Sequence, residues 1–229
     1  MGVSETCCYT MCCLEKSFSS GGTEVLTVKI EYPKFELPNC GRMESVINRS
    51  IWGQVECFFH DAATILYRQA SCALHNSNNQ KDYPFNPYDA VMKYQVTTCN
   101  SCYVSLYRDV YEFTGGAHGN TVRRSDTWSL NACRAVQACD FFLPKTMYRK
   151  AILQEILFQA DENMRNSPGI YFENYQKLIT RYFNPNRFYV TENSVTYYFQ
   201  LYEIAPYVSG IVSFPISFDQ LECPPVCKE

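Results

Sequence analysis

His118 is the residue whose surroundings most suggest chemistry. It lies in Glu112-Phe-Thr-Gly-Gly-Ala-His-Gly-Asn-Thr-Val122, held between Gly115, Gly116 and Gly119. An imidazole titrates near neutrality, so such a histidine can serve as an acid/base group or face a ligand. It can also be a turn residue bonded to nearby backbone. The second reading weighs more, because no nucleophile or metal partner is fixed beside it in sequence. The carboxylates that catalysis could enlist are Asp109, Glu112 and Asp126 with His118, or Glu203. Glycoside hydrolysis needs two carboxylates at a set separation, and nothing in the sequence pairs these. Glu203 reads better as a cap on local backbone or a partner for Arg123 or Arg124. No nucleophile, metal or cofactor signature is present, so no cofactor, no metal site and no catalytic residue is expected.

The thirteen cysteines are the other reactive groups. The number is odd, so at least one thiol in a monomer is unpaired. In a reducing compartment they would mostly act as small hydrophobes. Cys99-x-x-Cys102 falls at the tip of an expected hairpin, without the helix N-terminus that activates a thioredoxin-type thiol. It could form half of a zinc site with Cys133 and Cys139, or with Cys223 and Cys227. The strong signal for zinc, two paired Cys-x-x-Cys motifs, is missing. A cysteine-based metal-binding or redox protein is therefore an alternative to be tested by metal assay.

Composition narrows the classes. With 229 residues, 46% hydrophobic and 19% charged, the chain can bury a core and is not a disordered polymer. A net charge of −3 without a basic run disfavours nucleic acid as a partner. Eighteen tyrosines exceed the needs of a core, so some are expected to line a groove or interface. No stretch approaches a transmembrane segment, and the N-terminus lacks a basic region followed by an apolar run. These features lead to an expectation of a cytoplasmic protein if the chain is complete, and of an extracellular or cell-envelope one if it is trimmed.

The elements that must position these residues follow from periodicity. Residues 1–22 read as a flexible, cysteine-rich tail. Thr23 to Glu36 alternates as a strand, stopped by Pro33 and Pro38. Residues 41–71 form the strongest helix, with Met43, Ile47, Ile51, Val55, Phe58, Ala62 and Ile65 on one stripe and Trp52, Phe59 and Leu66 widening it. His75 to Pro87 reads as a loop. Strands follow at Tyr88 to Thr98, Tyr103 to Phe113 and Thr121 to Leu130. Asp140-Phe141 opens a helical region that ends at Asn166-Ser-Pro-Gly169, and Tyr171 to Tyr182 makes a further short helix. Phe188 to Thr191, Val195 to Tyr202 and Gly210 to Phe218 are the last strands, and 222–229 is a tail. The predicted class is α+β with mainly antiparallel sheets, a long helix in the N-terminal half and two helices in the C-terminal half, arranged as two small units in one module.

Two stretches, Phe113-Thr-Gly-Gly-Ala-His-Gly-Asn120 and Tyr198-Phe-Gln-Leu-Tyr-Glu-Ile-Ala-Pro-Tyr-Val-Ser-Gly210, with Asp140-Phe141 between them, resemble the C-terminal domain of the RsiV-like bacterial family. Ile30-Glu-Tyr-Pro33 followed by Ile47-Asn48 on a helix resembles the domain that precedes it in RsiV and in the peptidoglycan deacetylase PdaC. The resemblance implies an N-terminal α+β unit over 23–100 and a C-terminal one over 101–221. It also implies a non-catalytic binding module, because the RsiV outer module binds lysozyme. The partner would be lysozyme, another protein or a peptidoglycan glycan; a cell-wall-acting hydrolase is the further alternative. The contact surface is expected near the 114–120 loop and the 202–207 turn, with Gly115, Gly116, His118, Gly119, Tyr202, Glu203 and Tyr207 as ligand-binding candidates. Each of these can also be purely structural. An acidic pI near 5.7 would favour a basic partner through electrostatic steering.

Overall fold

The computed structural model describes residues 8–79 and 84–225. The chain divides into two compact units, Met1–Tyr94 with Arg108–Val122, and Gln95–Tyr107 with Arg123–Glu229. A single cut at residue 100 does not reproduce this division, because each unit takes in a segment from the other's half of the sequence. The class is α+β, with a six-stranded and a three-stranded sheet.

The expected tail over 1–22 is, from Cys8 on, strand β1 (Cys8–Ser20). It pairs antiparallel with β2 (Thr23–Glu36) along its whole length. Gly21 (φ 57°) and Gly22 (φ 85°) make the connection. Two consecutive positive φ values match the right-handed twist of the flanking strands, and glycine takes them without steric cost. The Ser-Ser-Gly-Gly-Thr run was therefore a hairpin signal, and the cysteines around it are strand residues. Residues 1–7, including Cys7, lie outside the described residues, as do residues 226–229 of the expected C-terminal tail.

Helix α1 (Gly41–Asp61) follows, then a π turn (Ala62–Leu66) and α2 (Tyr67–Asn79). The helical stretch thus runs past the expected end at 71, and residues 75–79 are helix rather than loop. Met43, Ile47, Ile51, Val55, Phe58 and Ala62 are buried as the periodicity requires. Ile65 and Trp52 are not; they are 45% and 43% exposed. The π turn absorbs an extra residue, so the buried line passes from Ala62 to Ala70 and leaves Ile65 outside. The buried stripe is complemented by Val25, Leu26, Val28 and Ile30 of β2.

The helices carry the chain over to β3 (Tyr88–Cys99), which pairs with β2 in parallel. A parallel neighbour needs such a crossover, whereas β2 pairs with β1 in antiparallel fashion across a two-residue turn. Beyond Glu31 the β3 pairing ends, and Asn48 of α1 supplies the missing ladder. Its Oδ1 accepts from the Phe35 amide (2.8 Å), and its Nδ2 donates to the Phe35 carbonyl (2.9 Å). The Glu44 carboxylate accepts from the Leu37 amide at 2.7 Å. These bonds give the Tyr-Pro and Ile-Asn pairing of the sequence its physical meaning: the asparagine clamps the strand just after its proline.

Strands β4 (Tyr103–Phe113), β5 (Asn120–Ser129) and the short β6 (Arg134–Ala135) complete the first sheet, in the order β1-β2-β3-β4-β5-β6. The second unit adds α3 (Tyr148–Asn166), α4 (Tyr175–Tyr182) and the antiparallel sheet of β7 (Phe188–Val190), β8 (Ser194–Phe199) and β9 (Val212–Ser217). Its core joins Phe141, Ile152, Ile156 and Ile179 to Val195, Tyr197, Phe199, Ile204 and Phe214. Hydroxyls finish the end of β7. Ser105 Oγ, fully buried, accepts from the Val190 amide (2.8 Å), while Thr97 and Thr98 donate to the Val190 carbonyl at 2.6 and 2.9 Å. No helix among the described residues is long and apolar enough to cross a membrane.

Candidate functional site

Gly115, Gly116, His118 and Gly119 belong to the first unit; Tyr202, Glu203 and Tyr207 belong to the second. In the loop, Gly119 is buried and closely approached. A Cβ placed there would stand 2.3 Å from the Tyr111 ring and 2.7 Å from the Glu112 carbonyl oxygen. The backbone oxygen cannot be displaced without moving the strand, so only glycine fits. Gly115 adopts φ 81°, and its carbonyl accepts from Nδ2 of the Asn86 side chain at 3.3 Å. His118 is exposed, and its Nδ1 lies 3.0 Å from the Gly119 carbonyl. Only a protonated Nδ1 can donate to that oxygen, so the contact selects one tautomer. This is the geometry of the turn-residue reading.

The turn after β8 is built differently. Tyr198 is buried; its hydroxyl lies 3.1 Å from Ser125 Oγ and its ring stacks on Tyr189 at 6.3 Å. Burial pushes its phenol upward in pKa, against the smaller opposing effects of Ser125 and the arginines. Gln200 then docks on β5: its Oε1 accepts from the Arg123 amide (2.9 Å) and its Nε2 donates to the Arg123 carbonyl (2.7 Å). The Arg123 guanidinium is 3.8 Å from the centre of the Tyr107 ring, a cation–π distance. Glu203 accepts from the Gln200 amide (2.8 Å), closing the turn, and holds Arg187 Nη1 at 2.7 and 2.8 Å. It does cap local backbone as expected, but its arginine is Arg187 rather than Arg123 or Arg124. No sequence spacing tied Arg187 to it; the β7–β8 hairpin brings the two together.

Ile204 and Ala205 bury beneath this turn. The Ile204 carbonyl accepts from the Phe172 amide (3.0 Å), and Ser209 Oγ donates to the Ile170 carbonyl (3.0 Å). Above the anchored frame stand three apolar side chains: Tyr202, Tyr207 and Val208 are 49%, 38% and 92% exposed. The two rings lie 5.7 Å apart at 30°. Tyr202 takes φ 62°, the left-handed region that disfavours bulky side chains. Thus one face of the turn is structural, and its exposed face carries an aromatic pair at a backbone position better suited to glycine.

A small cavity of about 190 Å³ also lies in the second unit, with Asp126, Trp128, Gln137 and Asn186 among its walls. Cys99 and Cys102 are joined by a disulfide at the β3–β4 turn. This corrects the expectation that the pair is reduced or half of a zinc site. Asn100 Oδ1 accepts from the amides of Cys102 and Tyr103, closing the turn that brings the sulfurs together. Cys133, Cys139 and Cys223 are free thiols, and Cys227 lies outside the described residues. Among the described residues no group of three or more His, Cys, Asp or Glu side chains is placed to hold a metal.

Comparison with known proteins agrees with this architecture. No curated protein matches the chain. A member of the DUF3298 family from Bacteroides fragilis superposes with a TM-score of 0.72 at 14% identity, over 96% of this chain and 95% of that one. A DUF3298 family protein from Pseudomonas aeruginosa PAO1 gives 0.61 at 16% identity, over 100% of both chains. Such identities establish a shared fold. Residues 19–121 match the family profile described as deacetylase PdaC, and residues 139–219 match the one described as a protein of unknown function, DUF3298. The chain therefore joins a PdaC-type stretch to a DUF3298-type stretch on the fold of DUF3298 family proteins.

Proposed function

We propose that this protein is a non-catalytic binding module whose contact surface in the second unit is formed by Tyr202, Tyr207 and Val208. The observation that carries this reading is the exposed Tyr202 ring on a left-handed backbone. A left-handed non-glycine residue costs on the order of 1–2 kcal/mol, and such costs tend to be kept where the side chain has work outside the fold. Paired tyrosines on a rigid turn lose little side-chain entropy on binding, and tyrosine is enriched at binding hot spots. Glu203 acts as the brace of this surface.

The ligand is a protein, with lysozyme the named candidate through the RsiV resemblance. The chain's net charge of −3 suits a basic partner. A second reading, a peptidoglycan glycan, is favoured by the small cavity of Asp126, Trp128, Gln137 and Asn186, whose amide and carboxylate groups suit a hydroxyl-rich ligand. Calorimetric titration with animal-type lysozyme at two salt concentrations, beside titration with peptidoglycan oligosaccharides, tests both. Saturable lysozyme binding that weakens but persists at higher salt supports the first reading. Binding of oligosaccharide alone supports the second, and binding of neither overturns both.

A further inference from the structure

We infer that the first unit carries a site for a small oxyanion, a carboxylate or phosphate group, in a groove of about 380 Å³ along α2. The groove arises from the π turn. By shifting the buried line to Ala70, that turn leaves two i, i+4, i+8 rows at the surface, Tyr67-Ser71-His75 and Arg68-Cys72-Asn76. Ser20, at the β1–β2 turn, closes the other side. The Tyr67 hydroxyl donates to the Ser19 carbonyl at 3.1 Å, which ties helix and hairpin together at this wall.

The lining has the chemistry of an anion receptor. Among the described residues it contains Arg68, His75, two serine hydroxyls and the Asn76 side-chain amide, and no carboxylate. Arg68 is exposed and has no ion-pair partner among the described residues. Ser71 Oγ is shielded from solvent and has no hydrogen-bond partner among them. A helical serine usually returns its proton to the carbonyl four residues back; a shielded hydroxyl that does not is a donor awaiting an acceptor. An oxygen-rich anion in the groove meets Arg68, His75, Ser20 and Asn76 at once, rotation of the Ser71 side chain brings its hydroxyl in as well, and an arginine fork suits carboxylate and phosphate alike. The site is separate from the tyrosine turn and does not depend on the lysozyme reading.

The test uses the whole chain, labelled so that its three histidines can be followed by NMR. Sodium phosphate and sodium acetate are titrated separately at constant ionic strength. The expected result is a saturable shift of the His75 ring signals with at least one anion, while His60 and His118 stay unmoved. Phosphate alone, acetate alone or both would name the group preferred. Arg68→Gln should weaken this binding about tenfold or more, the scale of a lost charge-assisted hydrogen bond. Ser71→Ala should weaken it while leaving the fold intact. A parallel drift of all three histidines, no saturation with either anion, or unchanged binding in Arg68→Gln would each overturn the proposal.

Discussion

The glycine loop of the first unit and the tyrosine turn of the second attract notice in the sequence for the same reason, and their structures separate them. Both join strands through left-handed residues. In the loop the left-handed position is a glycine, Gly115, and another glycine, Gly119, permits close packing of its own strand and the Tyr111 ring. In the turn the left-handed position is a tyrosine, and its ring points out. One motif is explained by the fold it serves. The other sets an exposed aromatic ring on a left-handed backbone. Such a motif is thus better read residue by residue, by asking which member could be replaced at no loss to packing.

The largest effect should come from breaking the loop. Gly119→Ala sets a methyl against the Glu112 carbonyl, and overpacking of this kind costs about 3 kcal/mol; urea denaturation should show it as a lowered midpoint. Breaking the brace of the turn comes next. Glu203→Ala leaves the Gln200 amide and the partly buried Arg187 guanidinium without their shared acceptor, at about 2 kcal/mol in the same measurement. His118→Ala should stay within about 0.5 kcal/mol, since the ring is exposed. A larger loss there would make the loop histidine a structural keystone and blur the contrast.

The smallest effect is a pH dependence. The Arg134 guanidinium donates to Asp140 at 2.7 and 2.9 Å and holds its carboxyl below the usual carboxylate range, with burial opposing and the Gln137 amide assisting. A depressed folded-state pKa contributes stability above the unfolded value, near 4, and that contribution is lost as the pH falls through the folded value. Asp140→Asn should therefore flatten the acid limb of a stability profile slightly and leave the remainder of its shape unaltered. The change should be small because Arg134 is half exposed. An unaltered acid limb would assign that slope to other carboxylates.

Much of the architecture could be read from the sequence. The α1 stripe, the strands through Phe113, the helices and the closing hairpin follow from hydrophobic period. Strand β1 escaped because cysteines and serines obscure its alternation, although Gly21-Gly22 marked the hairpin. The parallel β2–β3 pair escaped because period carries no strand direction. Ile65 was misplaced because nothing in the sequence announces the wide turn that rotates it outward. For the site, Tyr202, Glu203 and Tyr207 were legible as a motif, but Arg187, Arg123 and Tyr107 were not. Those three are brought together by strand pairing and turn geometry, which local spacing does not encode.

The claim that Tyr202 is held for contact can be tested without knowing the ligand, by the unfolding free energy of Tyr202→Gly. Relief of the left-handed backbone gains roughly 1–2 kcal/mol. Loss of the aromatic pair with Tyr207 and the added freedom of the unfolded chain each take back about 1 kcal/mol. The account predicts a variant within about 1 kcal/mol of the parent protein. A loss well beyond that would show the ring to be part of the fold, and would contradict the assignment of this turn as a binding surface.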